Sequence, residues 1–209
     1  MRMKKRLTIF VEGDTDQSFF DHLISFLFEN AGKKRWDKSC LYIIPLDGIC
    51  KAEALIRTHL QEIRQDSQFD DTVCLIYDTD AFEYQKQPPV KMGRVKQLVE
   101  ENGCSFLAIP VVHNVEDMMV FSLEEICEYL QISPSFKIPE GLSGLALLKR
   151  LHKEAGQFYV KGHKCEDLIK RLDYSSICKK YCDTLNPLCK CFGFDCKGNL
   201  CRIRKKRKH

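Results

Sequence analysis

A chain of 209 residues, 44% apolar and 30% charged, is long enough for one well-buried core with an accessory segment. No apolar run approaches the ~18 residues that span a bilayer, and the basic start MRMKKR leads only into LTIFV before acids begin, so we expect neither a membrane segment nor a signal peptide. The net charge of +4 comes from the last eight residues, which carry six Lys or Arg, while the rest is close to neutral. With twelve cysteines and no export signal, we expect reduced thiols in the cytoplasm.

Apolar runs alternate with amphipathic segments over the first 112 residues. Short runs rich in β-branched residues predict strands, and apolar residues at helical spacing predict helices between them. The predicted strands are LTIFV, CLYIIPL, TVCLIY and SFLAIPVV, and the predicted helices are DQSFFDHLISFLFENAG, KAEALIRTHLQEIRQD and KMGRVKQLVEENG. Strands that are near-continuous apolar runs, each followed by a helix, are typical of a parallel sheet covered on both faces. We therefore predict an α/β, Rossmann-like, doubly wound domain.

Carboxylates follow three of these strands. Glu12 comes after the first strand, Asp78 and Asp80 after the third, and Glu116 after the fourth. Ligands of such sheets bind outside the carboxyl ends of the strands, so we expect these acids to share one rim. Close carboxylates repel one another unless a cation neutralises them, and a hard divalent metal has that effect. The pattern favours a metal site over acids that merely mark solvated strand ends.

The motifs VEGDTD after the first strand, DTD after the third and NVED after the fourth resemble a Toprim domain over about residues 6 to 130. Within that superfamily the chain is similar to the overcoming-lysogenization-defect (OLD) type nucleases and their small stand-alone relatives in bacteria and phage defence. The resemblance implies a two-metal phosphodiester cleavage centre with Mg²⁺ or Mn²⁺. Glu12 would be the acid of the first motif, Asp16 its second acid, and Asp78 with Asp80 the D-x-D.

The same resemblance places Glu116 where an additional acid follows the fourth strand. Asp14 and Asp117 are weaker candidates, because either residue also suits a turn or a helix cap. Relatives of this kind pair the nuclease with an ATPase. No G-x-x-x-x-G-K-[ST] phosphate-binding loop occurs in this sequence, so we expect any ATPase to be a separate polypeptide.

Residues 131–209 have no counterpart in that resemblance, and we treat them as a helical, cysteine-rich C-terminal segment after a catalytic domain at 1–130. Two helices are predicted, GLSGLALLKRLHKEAG and KCEDLIKRLDYSSICKKYCDTL. Lys161 and Lys164 lie between them, and either could reach the acidic rim and bind the scissile phosphate, whereas His163 is interpreted as incidental. The leucines Leu142, Leu145, Leu147 and Leu148 either pack on the sheet or form a partner surface.

The C-terminal segment suggests two further interactions. Six cysteines crowd its end, but without a C-x-x-C pair the spacing favours free thiols over a Zn²⁺ site. Clustered cations suit phosphate backbones, so we expect nucleic acid to bind the basic stretch, unless it only adds solubility. The residues of this basic stretch are Arg202, Arg204, Lys205, Lys206, Arg207 and Lys208.

The function that these patterns favour is a metal-dependent nuclease of DNA or RNA. An Asp-nucleophile phosphotransferase also uses D-x-D with magnesium, although it usually carries that motif on its first strand. A non-catalytic Toprim-fold module that binds nucleic acid or a partner is the other alternative.

Overall fold

A four-stranded parallel sheet forms the centre of the protein in a computed structural model, which describes residues 4–30, 37–63, 68–83, 87–161, 165–197 and 200–202. The strands are β1 (Lys4–Val11), β2 (Leu41–Pro45), β3 (Phe69–Asp78) and β4 (Ser105–Val111). They lie in the order β2-β1-β3-β4, and every neighbouring pair is parallel. This confirms the predicted α/β class, and each predicted strand is present with bounds shifted by a few residues.

Helices follow the strands as the periodicity predicted, with several short additions. Between the strands lie α1 (Asp14–Asn30), α2 (Ala52–Ile63), α3 (Asp80–Glu83) and α4 (Met92–Glu101). After β4 come α5 (Val115–Met119), α6 (Leu123–Tyr129), α7 (Gly144–Glu154), α8 (Glu166–Ile169), α9 (Tyr174–Lys180) and α10 (Cys182–Cys191). Short 3₁₀ turns occupy Lys38–Cys40, Ile49–Lys51 and Val120–Ser122. Across the described ranges, no helix combines the length and apolar character needed to cross a membrane.

The sheet is covered on both faces. Successive residues of a strand point to opposite faces, so Ile9 and Val11 enter one apolar core while Phe10 enters the other. The first core contains α1 and the helices that follow β4, and the second contains α2 and α4. The sheet is therefore doubly wound, with helices on both faces and loops at the carboxyl ends of the strands.

Proline marks the two edge strands. Pro45 ends β2 and Pro110 lies within β4, whereas the central strands β1 and β3 contain no proline. Proline cannot donate a ladder hydrogen bond, so it is tolerated where one side of a strand has no neighbour. The sequence of β4 thus already fits an edge position.

The helices after residue 140 pack on the sheet rather than beside it. Leu148, Leu151 and Ile177 are fully buried in the same core as α1. Among the leucines considered for a partner surface, Leu147 and Leu148 are buried and Leu145 is partly buried against that core, while Leu142 is exposed. A partner surface built on those four leucines is therefore wrong for all but Leu142.

The second predicted C-terminal helix is wrong as a single element. The chain makes three short helices there. Asp173 interrupts the run between the first two, because it accepts the Ser176 N–H as a cap and donates its own N–H to Ser122 Oγ at 2.8 Å. A small antiparallel hairpin, β5 (Asp195–Lys197) with β6 (Leu200–Arg202), follows α10 and was not predicted.

Candidate active site

The acidic rim is assembled from the carboxyl ends of three parallel strands. Glu12 follows β1 directly, Asp78 is the last residue of β3, and Glu116 lies in α5 just after β4. Asp80 opens α3, two positions beyond Asp78. Neighbouring parallel strands end at the same edge of the sheet, so residues more than a hundred positions apart in sequence meet there.

Backbone hydrogen bonds join the loops of this rim to one another. The carbonyl of Glu12 accepts the Gly48 N–H at 2.9 Å, which ties the β1 loop to the β2 loop. Thr79 N–H donates to the carbonyl of Val111 at 2.9 Å, and Thr79 Oγ1 accepts the His113 N–H at 2.8 Å, which ties the β3 loop to the end of β4. The carboxylates are therefore carried by a connected backbone.

Glu12 and Asp78 are in direct contact. Glu12 Oε1 accepts the backbone N–H of Asp78 at 2.9 Å. Burial raises the pKa of Glu12, and this hydrogen bond and the Lys161 ammonium oppose the rise. The two acids that the resemblance assigned to different motifs thus belong to one cluster.

Asp16 and Asp78 are buried carboxyls with strongly raised pKa values. Burial, then the charges of Glu116 and Glu12, raise the pKa of Asp16 to about 7. Burial, then the charges of Asp16 and Glu12, raise the pKa of Asp78 to about 9. Desolvation together with like charges is the combination that marks functional carboxylates in other proteins.

Among the described residues, two buried carboxylate oxygens lack a hydrogen-bond partner. They are Asp78 Oδ1 and Glu116 Oε2, and both side chains are almost completely shielded from solvent. A buried oxygen without a donor costs about 1–3 kcal/mol, and more when it is charged. A cation or a bound ligand would satisfy these atoms.

Among the residues that the structure describes, Lys161 is the cation that contacts this cluster. Its Nζ lies 3.4 Å from Asp78 Oδ2 and 4.0 Å from Asp80 Oδ2. Burial alone would lower the pKa of Lys161, but the charges of Asp78, Glu116 and Asp80 outweigh it and raise the pKa. The structure thus brings Lys161 to the acids, while Lys164 and His163 lie outside the described residues.

Tyr159 is a buried site residue to which the sequence patterns assigned no role. Its hydroxyl donates to Glu116 Oε1 at 3.1 Å, and burial raises the pKa of the phenol far above its usual range. Tyr159 and Lys161 are two positions apart in the segment after α7, and both reach acids of the cluster, Glu116 and Asp78.

Asp117 has a structural role. Its carboxylate accepts the backbone N–H of Gly144 at the start of α7, and its own N–H donates to Asn114 Oδ1, the cap of α5. Gly144 packs directly on this turn, since a Cβ there would lie 2.5 Å from the carbonyl carbon and oxygen of Glu116. Asp117 thus serves as a helix cap, and Gly144 sets how closely α7 approaches Glu116.

Gly144→Ala is expected to lower the free energy of unfolding by about 1–3 kcal/mol, because the added methyl group meets backbone that cannot rotate away. Urea unfolding measures the change. Gly93→Ala is the matched control, since a Cβ at Gly93 in α4 meets nothing within 4 Å, and this variant should be as stable as the wild type or more so. Equal stability of the two variants would contradict the close approach of α7.

The donor set fits a hard divalent cation. Every candidate ligand is a carboxylate oxygen, two of these oxygens are buried without partners, and the cluster holds more acids than Lys161 neutralises. Within the described residues, no three His, Cys, Asp or Glu side chains are grouped so that they could hold an ion as they stand. Mg²⁺ needs only one or two carboxylates beside water and phosphate, so a closed cage is not required.

The C-terminal candidates are the cysteines, several of which the structure describes, and the basic stretch, most of which lies outside the described residues. Cys178, Cys182 and Cys189 are buried thiols, and they belong to no metal-holding group among the described residues. Of the basic stretch, only the backbone of Arg202 is described, at the end of β6, and the residues after it lie outside the described ranges.

Comparison of the chain with protein-family models, with curated proteins and with solved structures finds no match. The arrangement of side chains is therefore the basis for assigning a function.

Proposed function

We propose that this protein is a divalent-metal-dependent nuclease that hydrolyses phosphodiester bonds of DNA or RNA. The observation that carries the proposal is the convergence of buried carboxylates from three strand ends, with unpartnered oxygens on Asp78 and Glu116. So many acids in one desolvated place destabilise the fold, which is understandable if they serve a cation-dependent function. The resemblance of VEGDTD, DTD and NVED to the Toprim nucleases agrees with this proposal.

The metal ligands would be drawn from the cluster, whose acids act on one another's pKa values. They are Glu12, Asp16, Asp78, Asp80 and Glu116. Mg²⁺ or Mn²⁺ bound there, in one or two copies, would activate water and stabilise the leaving oxygen of a phosphodiester. Glu12 also orients the Asp78 backbone through its hydrogen bond, and Tyr159 holds Glu116.

Lys161 is proposed to bind the scissile phosphate. Its side chain is partly exposed at the mouth of the cluster, and its ammonium lies within 4.0 Å of both D-x-D carboxylates. A fixed cation beside the reacting phosphate stabilises charge that develops in the transition state. Lys164 stays an alternative for the same role.

The proposal is tested with labelled single- and double-stranded DNA and RNA, incubated with Mg²⁺, Mn²⁺ or EDTA. We expect cleavage with either metal and none with EDTA, and we expect Glu12→Gln to lose it. Asp47→Asn is the matched control, because Asp47 ends the β2 loop on the same rim but is exposed, with only a long contact to Lys51 at 3.5 Å. Asp47 also has φ 52°, a conformation that Asn tolerates well.

The same experiment separates the alternatives. An Asp-nucleophile phosphotransferase would form a phosphoenzyme at Asp78 with a phosphomonoester substrate. A non-catalytic module would bind nucleic acid but leave every substrate intact with both metals. Either result would refute the nuclease proposal.

A separate ATPase partner and a role in bacterial phage defence are further parts of the proposal. They rest on the resemblance and on the lack of a phosphate-binding loop in the sequence. Co-purification at native expression levels, followed by cleavage assays with and without ATP, tests the partnership. A fully active chain that is insensitive to ATP would overturn it.

The basic stretch from Arg202 to Lys208 is proposed to add affinity for nucleic acid without taking part in the chemistry. Clustered Lys and Arg displace counterions from phosphates, so truncation after Cys201 should weaken binding and reduce the slope of log affinity against log salt. Fluorescence anisotropy across a salt series measures both quantities. If affinity and slope are unchanged, the stretch only adds solubility.

A further inference from the structure

The segment at residues 157–161, here called the strap, follows α7 and brings Tyr159 and Lys161 to the carboxylate cluster. It begins at the end of α7, where Gly156 adopts a φ of 70° and the Gln157 N–H donates to the carbonyl of His152 at 2.7 Å. Its other end is held by the Tyr159 contact to Glu116 and the Lys161 contact to Asp78. The strap is therefore fixed at both ends.

The side chains of the strap alternate between the protein and solvent. Tyr159 and Lys161 point into the cluster, whereas Phe158 is 92% exposed and Val160 is 52% exposed. The backbone is fixed on both sides of Phe158, so the aromatic ring is held in water. There it contributes no buried apolar area to the stability of the fold. Phe158 is the most exposed of the large apolar side chains described.

We infer that Phe158 is a stacking platform for an unpaired base, which makes single-stranded nucleic acid the substrate class of this site. The inference rests on the proposed nuclease function and specifies its substrate. A phosphate at Lys161 and a base on Phe158 would belong to the same or adjacent nucleotides, since three extended residues span at most about 10 Å.

Single strands suit this arrangement better than duplexes. In a duplex the base faces are already stacked on their neighbours, so an exposed ring has no face to contact. An unpaired base offers a free face, and stacking on an aromatic side chain is worth about 1–3 kcal/mol per base with little dependence on sequence.

A protein partner is the other possible occupant of an exposed ring, and the observations favour a base. Strongly contributing residues in protein interfaces lie in packed clusters, whereas the Phe158 side chain is 92% exposed. A ring three positions from a cation that faces a carboxylate centre matches the combination of stacking and phosphate binding in single-strand-binding proteins.

The test is fluorescence anisotropy in EDTA, with a labelled oligothymidylate and a labelled blunt duplex as probes. We expect Phe158→Ala to weaken single-strand binding by about 5- to 100-fold and to leave duplex binding unchanged. Phe158→Trp should retain the single-strand affinity, because indole also stacks. The matched control is Tyr42→Ala, which removes a half-exposed aromatic ring from β2 and should change neither affinity.

A second measurement locates the base. The sequence contains one tryptophan, Trp36, so the emission of Phe158→Trp minus that of the wild type reports on position 158. Oligothymidylate should quench this difference signal, and duplex should not. The same subtraction for Tyr42→Trp should show no quenching by either probe.

The outcomes separate this inference from the nuclease proposal. Single-strand binding that depends on Phe158, without cleavage in any metal, supports the stacking site and refutes the nuclease. Cleavage with unchanged single-strand affinity in Phe158→Ala supports the nuclease and overturns the stacking site, leaving the ring to a protein partner. Equal loss of single-strand and duplex binding also overturns it.

Discussion

Asp78→Asn is expected to reduce metal-dependent cleavage by about a thousandfold or more, with the fold intact. The substitution keeps the shape of the side chain and the Glu12 hydrogen bond to its backbone N–H, but removes a carboxylate charge at the centre of the cluster. Metal ions contribute several kcal/mol of transition-state stabilisation, and each 1.36 kcal/mol corresponds to a tenfold change in rate. Asp80→Asn should have a similar effect, since Asp80 also contacts Lys161.

Single-turnover cleavage of the labelled substrates, with Mg²⁺ and with Mn²⁺, measures the loss. Asp47→Asn should cleave within about twofold of the wild type, because Asp47 is an exposed acid on the same rim whose carboxylate contacts Lys51. Wild-type rates in both Asp78→Asn and Asp80→Asn would exclude the D-x-D as a metal ligand pair.

The parallel sheet was predictable because its signals are local. Each central strand is a run of apolar residues and each helix has a clear apolar face, so period and length alone identified them. The rim followed from a general property of parallel sheets, in which all strand ends open to the same edge. Glu12, Asp78 and Asp80 could be named for that reason before any contact was known.

The parts that sequence reasoning missed depend on contacts between distant elements. Tyr159 is buried because α7 and the strap pack beside α5. The residues around Tyr159 in the sequence do not indicate that Glu116 is its partner. The sequence indicates only that Gly144 begins a helix. Its close contact with the backbone of Glu116 is seen only in the structure. The break at Asp173 likewise depends on a hydrogen bond to Ser122, 51 positions away. Periodicity carries no information about such pairs.

Exposure on the strap was equally hidden from the sequence. Phe158 and Tyr159 are adjacent aromatic residues in the sequence. Tyr159 is buried against Glu116, yet Phe158 is almost fully exposed to solvent. The contact to Glu116 holds the Tyr159 ring inward. Lys161, on the same strap, also turns inward and reaches Asp78.

Without metal, the stability of the protein is expected to fall as the pH rises from 7 to 9. The folded pKa of Asp78 is about 9, whereas its ordinary value is 3.8, so in this range the folded state binds more protons than the unfolded state. Stability then decreases with pH until the folded carboxyl is ionised. The expected loss is more than about 1 kcal/mol, since one pKa unit corresponds to 1.36 kcal/mol.

Other buried groups change the stability outside the interval from pH 7 to 9, or lower it with rising pH as Asp78 does. Burial lowers the pKa values of His59 and His152 from 6.5, so they favour the folded state with rising pH, but only up to about that value. Asp16, with a pKa of about 7, adds to the loss mainly below pH 8. Burial also raises the pKa values of the Cys74 and Cys165 thiols above 9.0, so these groups add to the loss near pH 9. Comparison with Asp78→Asn therefore isolates the share that comes from Asp78.

Urea unfolding at pH 7, 8 and 9 in EDTA measures the fall, and parallel series in Asp78→Asn and in Mn²⁺ identify its source. Asp78→Asn should make the profile less steep, because its amide does not titrate and carries no charge at that position. Mn²⁺ should flatten the wild-type profile and raise it at pH 9, since an ion that binds only the folded state stabilises it by mass action. If the profile of Asp78→Asn is as steep as that of the wild type, the titrating group lies elsewhere. If Mn²⁺ leaves the wild-type profile unchanged, that result counts against a cation site among these carboxylates.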